Sequence, residues 1–143
     1  MQKERWQKLA CSNFELWRKA LKSGDPHQVA MLYSHQATFL PTMSPELKTG
    51  EEGAEDYFHH FLQNHPDGKI IRQTVQVIGP NCYLHCGLYN FEVDDPEKGR
   101  KIVQARFSYI WKESWLDRLL NFLHLKKRSG WKIIHHHSSL LPL

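Results

Sequence analysis

Near its C-terminus the chain sets three imidazoles and two hydroxyls in succession, His135-His136-His137-Ser138-Ser139. Imidazole titrates closest to neutrality and is the commonest metal ligand, and beside a hydroxyl it can orient water or pass a proton. A zinc centre would need three imidazoles converging on one ion, which brings the pKa of its bound water to about 7. Spacing decides whether they can converge. The run reads as a strand, with Trp131, Ile133 and Ile134 at its start, Gly130 before it and Pro142 closing it. Side chains alternate across a strand, so Trp131, Ile133, His135, His137 and Ser139 should share one face and Lys132, Ile134, His136, Ser138 and Leu140 the other. His135 and His137 are then two ligands, not three. A third would have to come from His85, Cys82 or Cys86 on another strand-like segment. Cys82 and Cys86 face the same way there, and without a second pair they read as reduced core residues.

Elements able to hold such a strand are legible upstream. Trp6, Leu9, Ala10, Phe14, Trp17 and Leu21 recur at three- and four-residue spacing and predict an amphipathic helix from about Arg5 to Lys22. Asp25 caps a shorter helix, His27 to Tyr33, with Pro26 in its first turn. A short strand follows at Ala37–Pro41, then a loop from Thr42 to Gly50. A second long helix runs from Glu51 to Asn64 with Ala54, Tyr57, Phe58, Phe61 and Leu62 on its apolar side. Three β segments come next, Ile70–Ile78, Cys82–Val93 and Lys101–Glu113, separated by turn chemistry at Gly79-Pro80-Asn81 and Asp94–Gly99. Helices first and long antiparallel strands afterwards make an α+β layout, with the helices on one face of the sheet.

The chain of 143 residues is 41% hydrophobic and 24% charged, the profile of one domain, residues 1–143, around one core. The first residues lack the apolar run of a signal peptide and no window approaches a membrane span, so a cytoplasmic location is expected. A net charge of +4 and a pI near 9.0 are moderately basic. Without a dense basic stripe beyond Lys126-Lys127-Arg128, no nucleic-acid partner is expected.

Strand Lys101–Glu113 is apolar on both faces, with Val103, Ala105, Phe107, Tyr109 and Trp111 on one and Ile102 and Ile110 beside Arg106 and Ser108 on the other. Such a sheet needs two covers. Helices supply one; a second subunit is expected as the other, making a homodimer or larger homo-oligomer. Between the last two strands, residues 114–129 exceed any tight turn. Leu116, Leu119, Leu120 and Leu123 follow helical spacing, predicting a short amphipathic insertion ending in Lys126-Lys127-Arg128. It is expected to dock on its own or a sister subunit rather than on a membrane surface or partner protein.

The order helix, helix, strand, helix, long strands resembles the cone-shaped nuclear-transport-factor-2-like (NTF2-like) fold, and more narrowly the association domain of calcium/calmodulin-dependent protein kinase II. Within that group four strings look like the iota class of carbonic anhydrases: Phe39–Ser44, Glu55–Leu62, Ala105–Tyr109 and Trp131–Pro142. The resemblance implies hydration of carbon dioxide to bicarbonate, in a class described in both metal-using and metal-free terms. Strand geometry favours a metal-free pocket, with zinc the alternative cofactor. In that reading Thr42 and Ser139 supply hydroxyls, Tyr57 reaches in from the second long helix, and His137 orients them or relays a proton. Thr38, Arg106, His135 and Ser138 would line the substrate site, Arg106 bringing positive charge for the anion. The kinase-type association domain implies a different outcome, a non-catalytic oligomerisation module binding a small carboxylate. A third, an isomerase or dehydratase on the same cone, would rely on Asp56.

Overall fold

The computed structural model describes residues 1–125 and 130–143. Helix α1 (Gln2–Lys22) and short α2 (Pro26–Ala30) lead into β1 (Tyr33–Leu40), β2 (Lys48–Thr49) and α3 (Gly50–Phe61), which ends in a 3₁₀ turn. Long strands β3 (Asp67–Gly79), β4 (Cys82–Asp95) and β5 (Gly99–Glu113) form a meander. Helix α4 (Trp115–Phe122) and β6 (Trp131–Leu140) complete the chain. The six strands make one curved sheet in the order β2-β1-β6-β5-β4-β3, antiparallel except for the parallel β1–β6 pair.

The apolar stripe read from the sequence is what α1 buries: Ala10, Phe14, Trp17 and Leu21 are each at most 5% exposed. They close on the inner face of the sheet, where Tyr83, Tyr89, Phe91, Phe107, Tyr109 and Trp111 alternate inward. From the other end, α3 adds Tyr57 and Phe58 against Phe39 of β1. Aromatic rings fill most of this core, and burial of rings of this size dominates the folding energy. Asn13 donates to Tyr83 Oη at 2.8 Å, and Arg18 forks onto Asp67, tying α1 to β4 and β3. Gly87 permits a close strand approach: a Cβ there would lie 1.9 Å from the Arg72 carbonyl oxygen. Gly99, at φ +79°, supplies the left-handed residue that turns β4 into β5.

The structure departs from the sequence expectation at several points, three of which bear on the site and the insertion. Helix α2 ends at Ala30 and Tyr33 already belongs to β1, because its ring is buried among Phe39, Phe58 and His136. The insertion is helical only over α4; the stretch Lys126-Lys127-Arg128 lies outside the described residues. Helix α4 meets its own subunit through its polar side, Arg118 donating to Asn81, and turns its apolar side out, with Trp115 72% and Phe122 78% exposed.

The third difference is decisive for the site. Ile110 pairs with His135 but Trp111 pairs with Ile133, leaving Ile134 as an extra residue on β6. This β-bulge breaks the alternation, and everything after it is out of phase with Ile133. Ile133, His136 and Ser138 are buried on the inner face, whereas His137 is exposed and His135 and Ser139 are only half-buried. The expectation that His135, His137 and Ser139 face inward with Ile133 is therefore overturned by one inserted residue. That side of β6 carries His136 and Ser138.

Candidate functional site

Beneath the helices, the inner face of the sheet holds a cavity of about 310 Å³. Its walls are apolar: Trp17, Phe39, Phe58, Phe61, Phe91, Val103 and Ala105. Polar groups enter at a few points, namely Thr42 and Tyr57 near one end, His136 and Ser138 from β6, and Asn64, Asp94 and Lys101. A mostly apolar hollow with a few converging polar groups is the usual form of a small-molecule site.

The polar groups are wired together. Trp17 Nε1–H donates to Tyr33 Oη at 3.2 Å, and Tyr33 Oη lies 2.8 Å from His136 Nδ1. On the far side of the ring, His136 Nε2 is 3.4 Å from Tyr89 Oη. Tyr89 donates to Ser138 Oγ at 2.5 Å, and Ser138 Oγ meets Thr42 Oγ1 at 2.5 Å. The hydrogen-bond network assigns the tautomer: Tyr33 donates to Nδ1, so the proton of a neutral ring sits on Nε2 and points to Tyr89. Donors then run in one direction, from the Trp17 indole through Tyr33, His136, Tyr89 and Ser138 to Thr42. The last hydroxyl, on the cavity wall, keeps its own proton to give. Hydrogen bonds in series polarise one another, which strengthens the terminal donor.

Electrostatics keep this chain neutral. His136, only 2% exposed and stacked between Phe39 and Tyr109 at ring-centroid distances of 4.7 and 4.1 Å, is held well below the ordinary imidazole pKa by burial, then by the neighbouring His135 and His137. Burial pushes the Tyr33, Tyr57 and Tyr89 hydroxyls above the ordinary phenol range, so all are protonated donors. Tyr57 Oη accepts in addition from the Met43 backbone amide.

The structure divides the expected site residues between two faces. Thr42, Tyr57 and Ser138 line the cavity. Thr38, His135, Arg106, His137 and Ser139 lie on the outer face, where Thr38 Oγ1 is 2.6 Å from His135 Nδ1 and Arg106 donates to Ser139 Oγ at 3.3 Å. Burial lowers the His135 pKa, with His137 adding to the effect. The cavity cation is Lys101 rather than Arg106. Asp56 is exposed beside Lys48 at 2.7 Å, and that lysine holds its carboxyl below the usual range. The acid that lines the cavity is instead Asp94.

A zinc centre does not fit these donors. Only one imidazole of the triplet faces the cavity. The nominated third ligands are apart from it, His85 donating to Gln73 at 2.7 Å and Cys82 and Cys86 lying on the outer face. Among the described residues no three His, Cys, Asp or Glu side chains are grouped to hold an ion.

Sequence reasoning missed His136, Tyr89, Tyr33 and Trp17. The signal for His136 is the adjacent pair Ile133-Ile134: two aliphatics in a row violate strict alternation and mark the bulge.

Helices folded over a curved, largely antiparallel sheet with an apolar hollow between them define the NTF2-like, cystatin-like class of α+β cones. An NTF2-like superfamily protein from Salmonella enterica shares this fold at TM-score 0.73, with 15% identity over 98% of this chain and 94% of its own. The association domain of C. elegans CaMKII also shares it, at TM-score 0.70 and 15% identity, covering 96% and 98% of the two chains. Residues 7–142 match the model of the calcium/calmodulin dependent protein kinase II association domain, and the chain belongs to that family. A Xanthomonas campestris protein assigned to the same association domain is 33% identical, at TM-score 0.79, over 93% of this chain and 86% of that one. No curated protein matches the chain.

Proposed function

We propose that the protein is a self-association module that mates through the outer face of its sheet and holds a small carboxylate or bicarbonate in the cavity on the inner face. The observation that carries the first half is the uncovered row on the outer face. Leu84 and Ile110 stand side by side, Leu88 lies four residues along with Cys86 between it and Leu84, and Ile102 is 61% exposed. No helix covers this row among the described residues. Membership of an association-domain family supports the same reading. A stable interface of standard size buries about 800 Å² per partner, which a sheet face of this extent can supply.

Sedimentation velocity tests it. The wild-type chain should sediment as a species larger than 16.9 kDa, and Leu84→Arg/Leu88→Arg, which places two charges in the row, should return it to monomer with its circular dichroism intact. A monomeric wild type, or an oligomer indifferent to both arginines, overturns the reading.

The donor chain favours a second reading for the cavity, hydration of carbon dioxide without a metal. The aromatic walls admit an apolar gas, Thr42 and Ser138 hold water beside it, and the polarised donors stabilise bicarbonate oxygens as negative charge develops. Neutral His136 positions Tyr89 by donating to it. Water adds its oxygen to the carbon and releases one proton to solvent. Stopped-flow hydration should give a rate above buffer that is insensitive to chelator and lost in Ser138→Ala but kept in Ser139→Ala. With no rate above buffer, the cavity only binds an anion.

A further inference from the structure

Burial grades along three elements and shows where the cavity opens. On β5, Ala105 is buried, Val103 half-buried and Lys101 exposed; on α3 and its 3₁₀ turn, Phe58 is buried, Phe61 half-buried and Asn64 exposed; on β4, Phe91 and Val93 are buried and Asp94 is exposed. Lys101, Asn64 and Asp94 therefore form a rim. Ser138 pairs with Phe107, two residues beyond Ala105, so the donor chain ends at the enclosed floor. Floor and rim differ in chemistry. At the floor, Thr42 and Ser138 are neutral hydroxyls, and an ionised group placed among them would lose its hydration with no cation in return. At the rim stand one cation, Lys101, and one anion, Asp94. Asp94 is fixed in place by His65 Nδ1 at 2.5 Å and by Arg100 at 2.9 Å. The His65 hydrogen bond first, and Arg100 next, hold its carboxyl below the usual range, and each of its oxygens keeps room for a further donor.

Between floor and rim the walls are rings: Phe39, Phe58, Phe61 and Phe91 with Trp17. Such walls suit another ring, which packs edge-on or offset against them. Size narrows the occupant further. A cavity of roughly 150 Å³ takes benzene, so about 310 Å³ takes a molecule of about twelve heavy atoms, the size of an aromatic amino acid. We propose that the cavity takes a phenolic α-amino acid, its ring oxygen at Thr42 and its ammonium and carboxylate at Asp94 and Lys101. This rests on the carboxylate reading of the cavity and narrows it. The carboxylate stays at the rim because the cation is there, and the ammonium beside it meets the fixed Asp94. The ring fills the aromatic middle, and its oxygen accepts the proton that Thr42, last in the donor chain, still has to give.

Isothermal titration calorimetry of the full chain tests this with L-tyrosine and three analogues that each lack one group. Phenylalanine lacks the ring oxygen, tyramine the carboxylate, and para-hydroxyphenylpropanoate the ammonium. L-Tyrosine is expected to bind at one site per chain. Phenylalanine leaves the Thr42 donor unpaired and should bind about tenfold more weakly. The rim groups are exposed, so tyramine and the propanoate should each lose about threefold to fivefold. Lys101→Gln, at an exposed position, should weaken tyrosine and the propanoate by the same factor, leaving tyramine and the fold unchanged. Absence of tyrosine binding, an analogue that binds as tightly as tyrosine, or equal losses for every ligand in Lys101→Gln overturns the proposal. Binding of acetate or bicarbonate without tyrosine overturns it while sparing the carboxylate reading, and binding of none of these ligands removes both.

Discussion

Two histidines are buried in the neutral state, and this fixes how the protein responds to acid. His85 is fully buried and burial lowers its pKa to about 4; His136, 2% exposed, is also held well below 6.5 by burial. In the unfolded chain both titrate near 6.5. Above that pH both states are neutral and pH has no effect. Below it the unfolded chain binds protons that the native state refuses, so stability falls as pH falls. One pH unit below 6.5 each histidine costs about 1.4 kcal/mol, and the pair about 3 kcal/mol. For a chain of this size that is a drop in Tm of ~6–12 °C between about pH 7.5 and pH 5.5. The carboxylates whose pKa values are lowered, Asp56, Asp67 and Asp94, lose their contribution only below about pH 4 and stay out of this window. Urea unfolding at the two pH values, at fixed salt and protein concentration, gives the difference directly. His85→Gln should remove about 1.4 kcal/mol of the pH dependence, the rest staying with His136 and with His135, whose pKa burial also lowers, while lowering stability at neutral pH because Gln73 loses its imidazole partner. A change below about 1 kcal/mol in the wild type, or the full change retained in His85→Gln, would refute the assignment of both rings as buried and neutral.

The other predictions concern the two faces and the core. Ser138→Ala strands Tyr89 Oη and Thr42 Oγ1 in an apolar cavity and should cost about 1–3 kcal/mol in urea unfolding, whereas Ser139→Ala, which loses only the Arg106 contact on the outer face, should cost under about 0.5 kcal/mol. Gly87→Ala forces a methyl into the Arg72 carbonyl of the adjacent strand and should cost about 3 kcal/mol or yield insoluble protein, read by expression and thermal unfolding. Phe39→Ala removes the ring stacked on His136 and Phe58; it should cost about 3–5 kcal/mol, and the enlarged cavity should raise the His136 pKa toward its ordinary value, measured by NMR titration.

Periodicity carried the architecture because long elements average over many residues. The α1 stripe from Trp6 to Leu21 and the alternation of Tyr83, His85, Tyr89, Phe91 and Val93 each repeat often enough that one irregular position does not hide the period. Short-range signals failed where tertiary contacts decide. Tyr33 follows a helical stretch in sequence, yet its hydroxyl is needed between Trp17 and His136, so the chain is already strand there. Alternation along β6 was read as unbroken, and one extra residue at Ile134 inverted the assignment of every side chain after it. The amphipathic pattern of α4 was visible, but no pattern states which side of a helix is tethered. The Arg118–Asn81 and Asp117–Gly130 contacts do.

The inversion also explains why the polar run is so long. A strand serving one cavity needs a polar residue only at every second position. Here consecutive residues equip opposite surfaces: His136 and Ser138 belong to the inner donor chain with Tyr33, Tyr89 and Thr42, while His135 and Ser139 are bonded to Thr38 and Arg106 on the face proposed to meet a second copy. Neither set alone would require so long a polar run; together they account for His135, His136, Ser138 and Ser139. The backbone of β6 is thus common to both surfaces, hydrogen-bonded to β1 on one side and β5 on the other. A shift of β6 along β5 by a single residue would exchange the two sets, leaving the cavity with His135, His137 and Ser139 and removing every partner that Tyr89 and Tyr33 now have on this strand. Both strand neighbours oppose that slip, and so does the buried stack of His136 between Phe39 and Tyr109. The cavity chemistry and the outer surface therefore rest on the same register.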